Sequence, residues 1–108
     1  MKMDILNTSK YKLNSEITES QLKNAGFRGN LYRSYIYGEQ IQFVMEIDME
    51  EGTWNYTVYD SLNNVPYAQY YNRGYGTNIL IPELDKKIKN IIQKMQREKI
   101  LLNKRRIK

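Results

Sequence analysis

Cysteine and histidine are both absent from the 108 residues. Without thiols there is no disulfide framework and no thiolate nucleophile; without imidazole there is no Ser-His relay, and nearly all zinc sites go too. Long apolar runs are missing as well. The longest, Phe43 to Met45, Ile79 to Ile81 and Ile100 to Leu102, are three residues each, far short of a signal-peptide core or the ~20 residues of a membrane span. These absences point to a cytoplasmic protein that touches no membrane. Its length suits one domain over residues 1–108.

Carboxylates could still carry chemistry, but the acids fall where turns and helix starts use them. Asp48, Glu50 and Glu51 share one turn, Asp60 opens another, and Glu83 and Asp85 begin a helix. The first cluster lacks the spacing of a calcium loop. Gly74-Tyr75-Gly76 lacks both the Walker lysine and the third glycine of a dinucleotide fingerprint. The expectation is no catalytic residue, no metal, no cofactor and no enzymatic activity.

What is present has clear punctuation. Thr18 and Gln21 stand at capping-box positions, and Gly26 stands where a two-turn helix needs a left-handed residue, with Leu22, Ala25 and Phe27 facing a core. From Leu31 the period changes to two. Ile41, Phe43, Met45 and Ile47 alternate with Gln40, Gln42, Val44 and Glu46, and Trp54, Tyr56 and Val58 with Asn55, Thr57 and Tyr59. Turns at Gly38-Glu39, Glu50-Glu51-Gly52 and Asp60 to Asn64 separate these strands from each other and from a fourth, Val65 to Tyr71. Pro82 then opens a long helix whose apolar stripe includes Leu84, Ile88, Ile91, Ile92, Met95 and Leu102.

The predicted fold is α+β: a four-stranded antiparallel meander with a short N-terminal helix and a long C-terminal helix on one face, in the order α-β-β-β-β-α. Residues 1–14 read as a mobile leader, or from Asn7 as a short edge strand, and 104–108 as a mobile basic tail.

Charge and tyrosine supply the functional candidates. The formal net charge is +5, yet residues 1–82 hold seven basic and nine acidic side chains while 83–108 hold ten and three. Lys94, Arg97, Lys104, Arg105 and Arg106 in that last segment are the footprint expected of phosphate contact, although cations late in a helix also complement its dipole. Nine of the ten tyrosines lie between Tyr32 and Tyr75. Alternation puts Tyr59 opposite in phase to Trp54, Tyr56 and Val58, on the sheet face away from the helices. The loop carrying Tyr70, Tyr71, Arg73 and Tyr75 mixes aromatics, arginine and glycine in the manner of adaptable protein-contacting loops and of loops that contact nucleic acid. Ile100, Leu101 and Ile107 remain for a homodimer contact.

Phe, Tyr, Met, Ile, Asn and Lys account for 51 residues against 16 for Gly, Ala, Arg and Pro, an imbalance typical of AT-rich coding. In this respect, and in its tyrosines and lysine-rich terminal helix, the chain loosely resembles small proteins encoded by phages and mobile elements of Gram-positive bacteria. The resemblance implies an accessory that binds a host or self protein, for instance a defence antagonist such as an anti-CRISPR inhibitor. The alternative is a nucleic-acid-binding protein that combines the tyrosine face with the basic helix and tail.

Overall fold

The computed structural model describes residues 10–71 and 80–104. Nine elements follow in order: β1 (Tyr11–Leu13), α1 (Glu19–Ala25), β2 (Leu31–Tyr37), β3 (Ile41–Asp48), β4 (Thr53–Asp60), β5 (Val65–Pro66), α2 (Ala68–Tyr71), α3 (Leu80–Arg97) and β6 (Leu101–Asn103). Strands β2-β3-β4-β5 form an antiparallel meander in sequence order, and β1 pairs with β6 in a second sheet of two strands. The α+β class and the meander with its two principal helices agree with the sequence pattern.

The inner face of the meander is the core. Ile41, Phe43, Met45 and Ile47 of β3 are buried in one cluster with Leu22 and Ala25 of α1 and Ile81, Leu84, Ile88, Ile92 and Met95 of α3. Aromatic rings run through it in sequence, Phe27 against Tyr32, Tyr32 edge-on to Phe43, and Phe43 stacked on Tyr56 at 5.1 Å. Rings in these geometries add to the burial energy of their area.

Both main helices end the same way. At α1, Gly26 takes φ +108°, its N–H donates to Lys23 O, and the Phe27 N–H donates to Leu22 O. At α3, Lys99 takes φ +65°, its N–H donates to Gln96 O, and the Ile100 N–H donates to Met95 O. Each is a Schellman turn closed by an apolar pair, Leu22 with Phe27 and Met95 with Ile100, all four buried. The start of α1 is the expected capping box: the Gln21 N–H donates to Thr18 Oγ1 while the Thr18 N–H donates to Gln21 Oε1.

Two expectations need correction. The long helix does not continue to Leu102. The turn at Lys99 stops it at Arg97 and sends Ile100 and Leu101 into the core at 0% and 1% exposure, which removes these two from any dimer contact. The segment Val65 to Tyr71 is not one strand, because only Val65 and Pro66 pair with β4 and Ala68–Tyr71 turns helical. The edge-strand alternative for the N-terminal segment agrees with β1; Lys12 pairs with Leu102, the Trp54 indole donates to Tyr11 O, and Asn14 Nδ2 donates to Lys99 O. Lys104 is tied by its N–H to Lys10 O; the rest of the basic tail, 105–108, and residues 1–9 lie outside the described residues.

Replacing Ile88 or Ile92 by Ala is expected to destabilise the fold by ~2 to 5 kcal/mol, the usual cost of emptying a buried site; urea titration at neutral pH measures it. Lys99→Gly is expected to raise stability, by up to about 1 kcal/mol, because glycine adopts positive φ without the Cβ penalty. A lower urea midpoint for that variant would show that the left-handed turn carries no strain.

Candidate binding face

Among the described residues the meander is covered on one side only. Period two therefore leaves a second face made of the alternate residues: Leu31, Arg33 and Tyr35 on β2, Gln42, Val44 and Glu46 on β3, and Asn55, Thr57 and Tyr59 on β4. Register arranges them in three cross-strand rows, Tyr35-Gln42-Tyr59, Arg33-Val44-Thr57 and Leu31-Glu46-Asn55. With Ser61 and Asn64 they line a shallow concavity of about 530 Å³.

Val44 at its centre is 8% exposed and gives the face an apolar floor. Tyr35, 55% exposed, stands at one end of its row, with Tyr59 at the other. Arg33 and Glu46 supply one charge of each sign. Ser61 Oγ is buried without a hydrogen-bond partner among the described residues. The rim beyond β4 is firm: Asp60 accepts from the N–H groups of Leu62 and Asn63 and from Asn63 Nδ2. The Asn63 side-chain hydrogen bond in particular holds the Asp60 carboxyl below its usual value. Nothing in this arrangement pairs a nucleophile with a base, and among the described residues no group of acids could hold a metal ion.

The sequence-predicted residues divide. Tyr59 lies on this open face, as its phase requires. Tyr70 and Tyr71 do not: Tyr70 is 1% exposed, its hydroxyl 2.6 Å from that of Tyr56, and the Tyr71 hydroxyl accepts the Val58 N–H at 3.0 Å. Burial pushes the Tyr71 phenol above its ordinary value of 10.0, so it remains protonated as a neutral acceptor. The two rings meet edge-on at 4.9 Å and seal the flank of β4, which explains why a helical turn replaces the rest of the expected strand. Arg73 and Tyr75 lie outside the described residues.

Among the basic candidates, Lys94 is committed internally. Its Nζ donates to Ala25 O at the end of α1 and sits 5.0 Å from the Tyr32 ring centre, an arrangement that ties α3 to α1 and β2. Arg97 and Lys104 are exposed, as are Lys86, Lys87 and Lys89 along α3. Arg105 and Arg106 lie outside the described residues. The exposed cations of α3 and the tyrosines of the open face are on opposite sides of the sheet, because α3 packs on the inner face. Sequence reasoning missed Arg33 and Tyr35. Their alternation was visible, but only the placement of both helices on the other face leaves these two side chains facing solvent.

Another, smaller depression of about 260 Å³ lies between α1 and the end of β3, lined by Leu22, Phe27, Ile47 and Met49 together with Glu19, Lys23 and Asn30. No helix among the described residues is long and apolar enough to cross a membrane. No protein-family model, curated protein or solved structure matches this chain.

Tyr71→Phe is expected to cost about 1 to 3 kcal/mol, since it strands the buried Val58 N–H, whereas Tyr59→Ala on the open face is expected to change stability by less than about 0.5 kcal/mol. Equilibrium unfolding of the two variants side by side checks the division between core and surface tyrosines.

Proposed function

We propose that this chain is a non-enzymatic protein-binding module of the accessory kind that phages and mobile elements encode, and that it binds its partner through the open face of the meander. The observation that carries the reading is the composition of that face. Tyrosine, arginine, asparagine, threonine and glutamine surround a single buried valine, with one cation and one anion. Tyrosines provide large contact area at low conformational cost, and short polar side chains adapt to hydrogen-bonding partners. An acidic nucleic-acid mimic would need a strongly negative surface, which a chain of net charge +5 does not offer.

The nucleic-acid reading requires bases to stack where phosphates are neutralised. Tyr35 and Tyr59 project from the side of the sheet opposite α3, so its exposed cations do not border the aromatic face. That separation favours a protein partner.

The test uses charge and bulk on each surface in turn. Thr57→Arg and Tyr59→Ala alter the open face, and Lys86→Glu with Arg97→Glu alters α3. In affinity capture from a nuclease-treated bacterial lysate, the first pair is expected to lose a protein that wild type and the α3 double variant both retain. Micromolar binding of wild type to a labelled single strand or duplex at physiological salt, abolished by the α3 charge reversal and untouched by Thr57→Arg, would replace this reading with the nucleic-acid one.

A further inference from the structure

Strand β2 is the outer strand of the meander, and its backbone is not equally satisfied along its length. The Ile47 N–H donates to Asn30 O, so Asn30, Tyr32 and Ser34 direct their backbone groups at β3, and Leu31, Arg33 and Tyr35 direct theirs away from it. Leu31 is already occupied, because it exchanges both hydrogen bonds with Arg28 across a tight turn in which Gly29 takes φ +61°. Beyond Tyr35 the register shifts, and Tyr37 O accepts the Gln40 N–H. What remains is a free ladder of four groups, the N–H and C=O of Arg33 and of Tyr35, with no partner among the described residues.

We infer that this edge pairs with β2 of a second copy of the chain, antiparallel about a two-fold axis through Ser34. This register sets Arg33 opposite Tyr35 of the second copy, and Tyr35 opposite its Arg33, as two hydrogen-bonded pairs that use all four free groups. Neighbouring registers fail on the same geometry. An axis at Arg33 opposes two arginines and asks for the Leu31 groups that Arg28 holds. An axis at Tyr35 asks for Tyr37, beyond the bulge. An axis between residues would set inner-face side chains against outer-face ones.

Side-chain chemistry agrees with the one register that survives. Arg33 and Tyr35 both stand on the open face, so each guanidinium meets the partner's phenol ring, the cation-π geometry available to directly opposed pairs. The bulge after Tyr35 and the turn before Leu31 stop the ladder at both ends. Pairing is therefore isologous and closes at two copies instead of propagating. The open faces then join into one surface across eight main strands.

The pairing goes beyond the proposed partner binding and is tested without any partner. Sedimentation velocity of the full chain at up to about 0.5 mM is expected to show a monomer-dimer equilibrium, since even a constant near the millimolar range leaves measurable dimer at that concentration. Tyr35→Lys sets lysine against arginine twice, and is expected to weaken association at least about tenfold. The double variant Arg33→Glu/Tyr35→Lys restores two attractive pairs and is expected to recover the dimer.

Because the chain has no cysteine, Ser34→Cys provides a sole thiol at the two-fold axis. Non-hydrogen-bonded antiparallel partners there lie ~4.5 Å apart at Cα, within disulfide reach. Mild oxidation is expected to trap it as a covalent dimer and to leave Gln93→Cys, on the exposed side of α3, largely monomeric. A wild type that stays monomeric throughout would leave the edge to a strand from some other protein and overturn the inference. So would a dimer that persists unchanged in Tyr35→Lys, or one that Ser34→Cys fails to trap.

Discussion

One sheet with one cover is the constraint on which the rest of the molecule depends. Strand β3 has its inner side chains Phe43, Met45 and Ile47 at or below 1% exposure, and they meet the apolar stripe of α3 together with α1. Burial of this kind stabilises by roughly 25 cal/mol per Å² of apolar surface. The chain has few elements to spend on it, however. With α1 and α3 both on the inner side, the outer side of the meander receives no layer from the described residues, and among these Val44 is kept dry by its neighbours on the face. The open face is a consequence of where the two helices are.

The small β1-β6 sheet is what makes a single long helix sufficient. Helix α3 ends at a left-handed lysine, and the chain turns back so that Ile100 and Leu101 close the bottom of the core while β6 pairs with β1. Asn14 then clamps the turn, accepting the Glu16 N–H with its side-chain oxygen and donating Nδ2 to Lys99 O. Strand β1 is also held from the meander, through the Trp54 indole on Tyr11 O. Cap, strand and sheet are therefore one coupled feature, and local loosening of β1 would free the end of α3.

Legibility in the sequence followed locality. The helix α1 could be read almost whole, because Thr18, Gln21 and Gly26 are all local signals, and period two in Ile41 to Ile47 and Trp54 to Val58 fixed which face each strand buries, Tyr59 included. The second Schellman turn was illegible because Lys99 occupies a position that glycine usually marks. The pairing of Tyr11 with Asn103 was illegible because nothing in three polar-apolar residues announces a partner 92 positions away. The placement of Tyr70 and Tyr71 was illegible for a related reason. Composition made them resemble contact residues, but their hydroxyls satisfy groups on β4, a relation that exists only once the chain has folded back.

The two edges of the meander are treated differently, and that difference bears on how the open face can be used. On the β4 side, Val58 has its N–H taken by the Tyr71 hydroxyl and its C=O by the Tyr67 N–H, and Asp60 pairs with Val65. Core tyrosines thus serve as a seal where a longer β5 would otherwise be needed. On the β2 side the corresponding groups of Arg33 and Tyr35 have no partner among the described residues and are flanked by a tight turn and a bulge. A sheet that pairs through both edges can associate without limit; a two-fold pairing through β2 uses the same edge of both copies and closes at two. The cation and the ring that would meet an added strand belong to the same face that is offered to a partner. Edge and face are therefore one continuous surface, with Tyr35 common to both.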